Sequence, residues 1–228
     1  MLHKETVDEG TLDLIKRLME DAELKDFFLV GGTALSLQIG HRISIDIDLF
    51  SEKEFDAPSL RKYLEDNYHL TDSKSIKNGV FGFINDTKID ILTHAYPQFR
   101  PLEVIEGIRM SSLEDIGAMK LNAIHNSGER KKDFIDMYFL LEHEPLLIFV
   151  LAYEHKYPNV KRQMVINSLR YHGSIDHAIP VKLLGKDIEW EKLENRFYYA
   201  EINKLEIFSS EQEQKQSKNL RQKRGRGL

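Results

Sequence analysis

The chain has 228 residues with 41% hydrophobic and 30% charged residues and a net charge of −5, values typical of a globular protein with a buried core. It contains no cysteine, which excludes disulfide bonds, thiol catalysis and zinc-thiolate sites. Its apolar runs are far shorter than the roughly 20 residues of a spanning helix, and its polar N-terminus lacks a signal-peptide core, so we expect a cytoplasmic protein.

The first fifty residues predict two helices and two strands. In chain order these are a helix at 11–24 with Thr11 as its N-cap, a buried strand at 27–30, a Gly31-Gly32 turn, a helix at 33–39 ended by Gly40, and a strand at 43–50. The last strand alternates apolar and polar residues. We therefore expect its aspartates, Asp46 and Asp48, on one face of a sheet.

The middle of the chain predicts a helix at 58–67 and then strands. Asn78-Gly79 is a strong hairpin turn signal, and Asn85-Asp86 is a weaker one. Strands are predicted at 80–84 and 87–93, the second of which carries Asp90, and one further strand at 104–110.

From Ser112 onward the pattern becomes helical. Ser112, with Asp115 three residues later, resembles a capping box, and helices are predicted at 112–126, 132–142, 145–157, 159–171 and 187–207. The order predicts an α+β fold with an α/β domain at 1–110, a helical domain at 111–210 and a basic tail at 211–228. The tail is interpreted either as a disordered terminus or as an RNA contact.

The turn and the aspartate pair together point to phosphate and metal. A glycine turn before a helix is weak evidence alone, although it lets the backbone approach a phosphate, and Thr33 would either cap the helix or bond a phosphate oxygen. Asp46 and Asp48 are either the polar half of a solvent-facing strand or ligands of Mg²⁺ or Mn²⁺. Asp90 would supply a third carboxylate for a two-metal site.

Two charged positions on the later helices are unusual. Lys120 lies on the apolar stripe of its helix, where it either reaches along the surface to solvent or enters a polar cleft that binds phosphate. Asp133 suits the start of its helix, where acids complement the dipole. Asp136 is flanked by apolar positions, and we expect it either to serve the same dipole or to pair with a base such as Lys120 or Arg130.

The chain resembles the AbiEii/AbiGii-type nucleotidyltransferase toxins in three separated motifs. They are GGTALSLQIGHRISIDIDLF at 31–50, DIGAMKLN at 115–122 and RKKDFIDMYFLL at 130–141. The resemblance implies a DNA polymerase β-like nucleotidyltransferase domain with a small mixed sheet, followed by a helical domain. It implies that Gly31, Gly32 and Thr33 hold a triphosphate, that Asp46 and Asp48 bind metal, and that Lys120 and Asp133 are needed for activity. Asp90 matches by strand placement only.

The resulting hypothesis is a metal-dependent transferase that moves NMP from an NTP to an acceptor, with Mg²⁺ on Asp46, Asp48 and Asp90. Lys120 would hold the triphosphate. The resemblance implies an RNA acceptor such as tRNA and the role of toxin in a toxin–antitoxin or abortive-infection pair, with an antitoxin partner. A basic groove formed by Arg42, Arg130, Lys131, Lys132 and the tail would favour RNA. The alternatives are an antibiotic-type transferase acting on a small molecule and a non-catalytic, antitoxin-bound protein of the same fold.

Overall fold

The computed structural model describes residues 1–185 and 187–208. The first half comprises α1 (Glu9–Glu20), β1 (Phe28–Val30), α2 (Gly31–Ile39), β2 (Ile47–Ser51), α3 (Ala57–Tyr68), β3 (Thr71–Ile76), β4 (Gly79–Ile84), β5 (Thr87–Thr93), β6 (Glu103–Ile105) and β7 (Ile108–Met110). The second half comprises α4 (Leu113–Asn126), α5 (Lys131–Leu140), α6 (Leu146–Lys156), α7 (Arg162–Ser168) and α8 (Trp190–Ile202).

The strands form one mixed sheet in the order β3-β4-β5-β2-β1-β7-β6. Strand β2 runs parallel to β5 and β1 runs parallel to β7, while the other pairs are antiparallel. The predicted α+β fold is confirmed. The predicted tail at 211–228 lies outside the described residues.

The predicted hairpin turns are confirmed, with one correction. Asn78, Asn85 and Asp86 adopt positive φ angles of 57°, 48° and 64°, which asparagine and aspartate tolerate better than most residues. The single strand predicted at 104–110 is wrong. Glu106 and Gly107 have φ angles of 51° and 83°, so the chain reverses there and forms the β6–β7 hairpin.

Two of the three predicted helix caps are wrong. Helix α1 begins two residues before Thr11, and the Asp8 carboxylate is its cap, accepting the Thr11 backbone N–H at 2.8 Å. Helix α2 begins at Gly31, so Thr33 lies inside the helix and does not cap it. The Ser112 cap is confirmed, because its hydroxyl accepts the Asp115 backbone N–H at 3.1 Å.

Strand β2 is shorter than the sequence predicts. It begins at Ile47, so Asp46 lies one residue before the strand. The preceding backbone is engaged elsewhere, because Ile43 N–H donates to the Lys182 carbonyl and Ser44 N–H donates to the Thr6 carbonyl. The prediction that both aspartates lie on one strand is therefore wrong for Asp46.

The two faces of the sheet differ in burial around β2 and β5. Ile47, Leu49, Ile89 and Ile91 are fully buried on one face. The alternate residues of these strands, including Asp48 and Asp90, are only partly buried on the other. We call this second side, formed by β2 to β5, the open face.

One hydrophobic cluster runs through both halves of the chain, from Leu49 on the sheet to Ile116 and Phe149 on the helices. The division into domains at residue 110 stays a prediction. Among residues 1–185 and 187–208, no helix is both long and apolar enough to cross a membrane.

Candidate active site

The parallel pairing of β2 with β5 brings two predicted site residues together. Asp48 lies directly opposite Asp90 in the register, so both carboxylates project from the open face. Lys88 forms an ion pair with Asp90 Oδ2. Asp90 Oδ1 is buried and has no hydrogen-bond partner among residues 1–185 and 187–208. The pair therefore has an oxygen available for a ligand.

The electrostatics of this pair favour a bound cation. Burial, followed by the neighbouring charge of Asp90, raises the pKa of Asp48 to about 6. Lys120 opposes this rise, and Asp46 adds to it. Two adjacent carboxylates with this excess of negative charge fit a divalent metal with oxygen ligands.

Asp46 does not complete a metal cage with Asp48 and Asp90 in the described residues. Within the described ranges, no group of three or more His, Cys, Asp or Glu side chains is arranged to hold an ion. Asp46 lies close enough to affect the pKa of Asp48, but it precedes the strand. The three-carboxylate site of Asp46, Asp48 and Asp90 stays a prediction.

The glycine turn lies against the carboxylates. Gly31 has a φ of 71°, and a Cβ added there would lie 2.5 Å from Asp48 Oδ2. A Cβ on Gly32 would overlap the Arg42 guanidinium. Only glycine therefore fits at these positions, and the start of α2, with its unpaired backbone N–H groups, lies beside Asp48.

Replacing Gly31 by Ala is expected to lower both stability and the nucleotide transfer that the resemblance predicts. The new methyl group would meet Asp48 while the backbone stays in a left-handed conformation that costs L-residues about 1–2 kcal/mol. Thermal unfolding and initial rates would measure both effects. Gly173→Ala is the matched control, because a Cβ there meets nothing within 4 Å. Equal behaviour of the two variants would contradict the close approach.

Thr33 fixes the segment that carries Asp46. Its hydroxyl donates to the Asp46 carbonyl and lies 2.9 Å from Ser44 Oγ, and the residue is 1% exposed. This hydroxyl is therefore engaged within the protein. The role of Thr33 in holding a triphosphate stays a prediction.

Lys120 enters a buried ionic cluster. Its Nζ lies 2.7 Å from Asp133 Oδ1 and 2.7 Å from Asp136 Oδ2, and only 7% of the residue is exposed. Burial would lower the pKa of Lys120, but the charges of Asp136 and Asp133 raise it. Lys120 therefore stays charged, and its positive charge also acts on Asp48.

Asp136 is the centre of this cluster. Its fully buried carboxylate accepts Arg42 Nε at 2.6 Å and Nη2 at 3.0 Å. His41 Nε2 lies 2.8 Å from the same carboxylate, and burial lowers the pKa of His41, so a neutral ring donates this bond. The predicted pairing of Asp136 with Lys120 is confirmed. The alternative partner, Arg130, lies 3.8 Å from Asp133 instead.

His41 was not predicted as a site residue from the sequence, and Arg42 was predicted in a different place. Arg42 is 2% exposed and bound through two nitrogens to Asp136, so its assignment to an RNA-binding groove is wrong. The signal for these partners was Asp136 itself, because a carboxylate on an apolar helix surface requires buried bases.

Comparison with known proteins identifies the family. A family model described as "Nucleotidyl transferase AbiEii toxin, Type IV TA system" matches residues 13–74, which contain the glycine turn, Asp46 and Asp48. An uncharacterised protein of Aquifex aeolicus is 31% identical over 180 residues, which cover 75% of this chain and 84% of that protein. The chain belongs to the AbiEii nucleotidyltransferase toxin family. It is therefore a nucleotidyltransferase.

Solved structures are similar to this AbiEii-family chain at low identity. An antigenic nucleotidyltransferase-like protein from Paracoccidioides brasiliensis has a TM-score of 0.46 and 18% identity, over 61% of this chain and 79% of that one. JHP933 from Helicobacter pylori has a TM-score of 0.43 and 21% identity, over 72% of this chain and 90% of that one.

Proposed function

We propose that this AbiEii-family enzyme transfers NMP from an NTP to an RNA acceptor such as tRNA. The observation that carries the proposal is the contact of the Gly31 turn with Asp48, which pairs in register with Asp90. It puts unpaired backbone donors for phosphate next to carboxylates that suit a cation.

Different residues of the site would bind different parts of the NTP–metal complex. The backbone of Gly31, Gly32 and Thr33 at the start of α2 would bind the triphosphate, because helix N-termini attract anions. Lys120, whose charge acts on Asp48, would contribute positive potential for the triphosphate. The carboxylates of Asp46, Asp48 and Asp90 would hold Mg²⁺ or Mn²⁺. A bound ion would supply Lewis-acid stabilisation of charge on the transferring phosphate.

Asp90 is suited to take the acceptor's proton. Its Oδ2 is paired with Lys88, whereas its buried Oδ1 has no partner in the part of the chain that the structure describes. The acceptor hydroxyl would form a bond to the α-phosphorus, its proton would pass to Oδ1, and pyrophosphate would leave with the electrons of the broken P–O bond. In this proposal Asp133 is needed for activity because it pairs with Lys120 and holds that side chain in place.

The biological role proposed is that of the toxin in a toxin–antitoxin or abortive-infection pair. The family description, a type IV toxin–antitoxin system, supports an antitoxin as the partner of this chain. Co-expression with proteins encoded by neighbouring genes tests the role. Growth arrest on expression of the chain alone, relieved by one neighbour, is the expected result.

The activity is tested by incubating the protein with each α-labelled NTP, Mg²⁺ and separated cellular pools of RNA, protein and small molecules. We expect label in the RNA pool, and none with Asp46→Asn. Label in the small-molecule pool would show that the acceptor is a small molecule, as for an antibiotic-type transferase, and not RNA. No label in any pool, together with no metal-dependent heat in a calorimetric titration with Mg-NTP, would overturn the transfer itself.

A further inference from the structure

The carboxylate pair continues outward as a row of side chains across the open face. Asp90 lies opposite Phe81 on β4, and Phe81 lies opposite Lys74 on β3. Residues directly opposite one another project from the same face of a sheet. From the centre of the sheet to its edge, the row therefore consists of Asp48, Asp90, Phe81 and Lys74.

This row is accessible and combines aromatic with basic side chains. Lys74 is exposed, and its Nζ lies 5.2 Å from the Phe81 ring centroid. Phe83, two residues along β4, lies opposite Lys88 and is 38% exposed. Helix α3 packs against the other face, where Glu65 forms a hydrogen bond with Ser73.

A cleft opens beside this row, around the neighbouring Phe83 and Lys88 pair. Its volume is about 380 Å³, which lies within the range of small-ligand pockets. It is lined by apolar side chains, among them Ile45 and Phe83, and by polar ones, among them Asp46, Asp86 and Lys88. Asp46 is also a residue of the candidate active site, and Lys88 forms an ion pair with Asp90 of that site.

We propose that the open face binds the single-stranded 3′ end of the acceptor RNA, with the terminal nucleoside in the cleft. Its base would stack on Phe83, and a terminal ribose hydroxyl would reach Asp90 Oδ1. The preceding nucleotide would stack on Phe81, with its phosphate near Lys74. Aromatic rings interleaved with lysines are the usual platform for single-stranded nucleic acid. This inference rests on the proposed function, because it names the acceptor side of that site.

The charges of the cleft agree with a nucleoside end. The Asp8 carboxylate in its wall is already engaged as the α1 cap, bonded to the backbone N–H and the hydroxyl of Thr11. With Asp46 assigned to the metal, Asp86 remains as an acceptor for ribose hydroxyls or base amino groups. The row also extends one strand beyond the cleft, to Lys74 on β3, which favours an acceptor longer than one nucleoside.

The test compares Phe83→Ala and Lys74→Ala with the matched controls Tyr171→Ala and Lys62→Ala. Tyr171 is 78% exposed, and Lys62 is exposed on α3, which packs on the opposite face. Loss of one stacking ring should raise the KM for a short single-stranded RNA with a free 3′ hydroxyl by about 5- to 100-fold. Lys74→Ala should lower the slope of binding against log salt by about 0.7. The controls should match the wild type.

Each outcome of these measurements supports or overturns the proposed binding of RNA to the open face. RNA transfer by Phe83→Ala and Lys74→Ala with control-like KM values would overturn it. A small-molecule product whose KM rises in Phe83→Ala would overturn the RNA occupant. If the wild type labels no acceptor, the proposed function fails, and fluorescence anisotropy with the same RNA still tests the surface. Weaker binding by the two variants than by their controls would then support it, and equal binding would overturn it.

Discussion

Replacing Asp48 by Asn is expected to abolish nucleotide transfer and to stabilise the metal-free protein. Asp48 lies opposite Asp90 and against the Gly31 turn, so the variant removes a central carboxylate of the candidate site without changing its shape. Loss of one preorganised charged group of this kind lowers kcat by about a hundredfold or more. Initial rates with labelled NTP measure this effect.

The stability gain follows from the raised pKa of Asp48. A carboxyl with a pKa of about 6 in the folded state destabilises the fold when ionised, by at most about 3 kcal/mol at pH 7. In the metal-free wild type, stability should therefore fall as the pH rises from about 4 to 6, since the folded state binds more protons there. Asp48→Asn should lack this loss.

Thermal unfolding with and without Mg²⁺ provides the comparison. In the absence of metal, Asp48→Asn should unfold roughly 5–10 °C above the wild type. Mg²⁺ should raise the Tm of the wild type and have little effect on the variant. A metal-free variant less stable than the wild type would mean that Asp48 is a structural residue and not a strained site carboxylate.

Replacing Asp136 by Ala is expected to be strongly destabilising. Burial would raise the pKa of Asp136, but the charges of Lys120 and Arg42 hold it well below its usual range. Its removal leaves Arg42 buried without this acid and Lys120 with Asp133 alone. Breaking a buried ion pair in this way costs about 3–5 kcal/mol, or roughly 6–20 °C in Tm for a chain of this size.

The control for Asp136→Ala is Glu201→Ala. Glu201 pairs with Arg170 at 3.4 Å, and the arginine side chain is 56% exposed, so this loss should cost less than about 1 kcal/mol. Comparable Tm values for the two variants would show that the buried cluster contributes no more than a surface pair.

The sequence was informative where local chemistry decides structure. The Gly40 helix end, the Asn78 and Asn85 turns and the Ser112 cap depend on near neighbours, and the structure has each of them. Gly31 and Gly32, predicted as a turn before the helix, are instead the first residues of α2, although Gly31 keeps the positive φ of a turn glycine. The resemblance supplied the family, which the comparisons confirm.

Distant contacts decided the rest. Strand β2 begins late because Thr6 and Lys182 take the backbone N–H groups of Ser44 and Ile43, and no local pattern shows that. Arg42 was predicted to be a surface base because its partner Asp136 lies more than ninety residues away in sequence. The open face could be found only from strand register, because its row of side chains comes from four different strands.

The buried cluster also determines which fragment of the gene product could work alone. A fragment ending after β7 would keep the glycine turn and all three predicted metal carboxylates. It would lack Asp136, which lies on α5, so His41 and Arg42 would lose the carboxylate that they bind. Because the Arg42 guanidinium lies against Gly32, the glycine turn at the start of α2 would lose its support. The smallest active piece of this enzyme must therefore extend at least through α5.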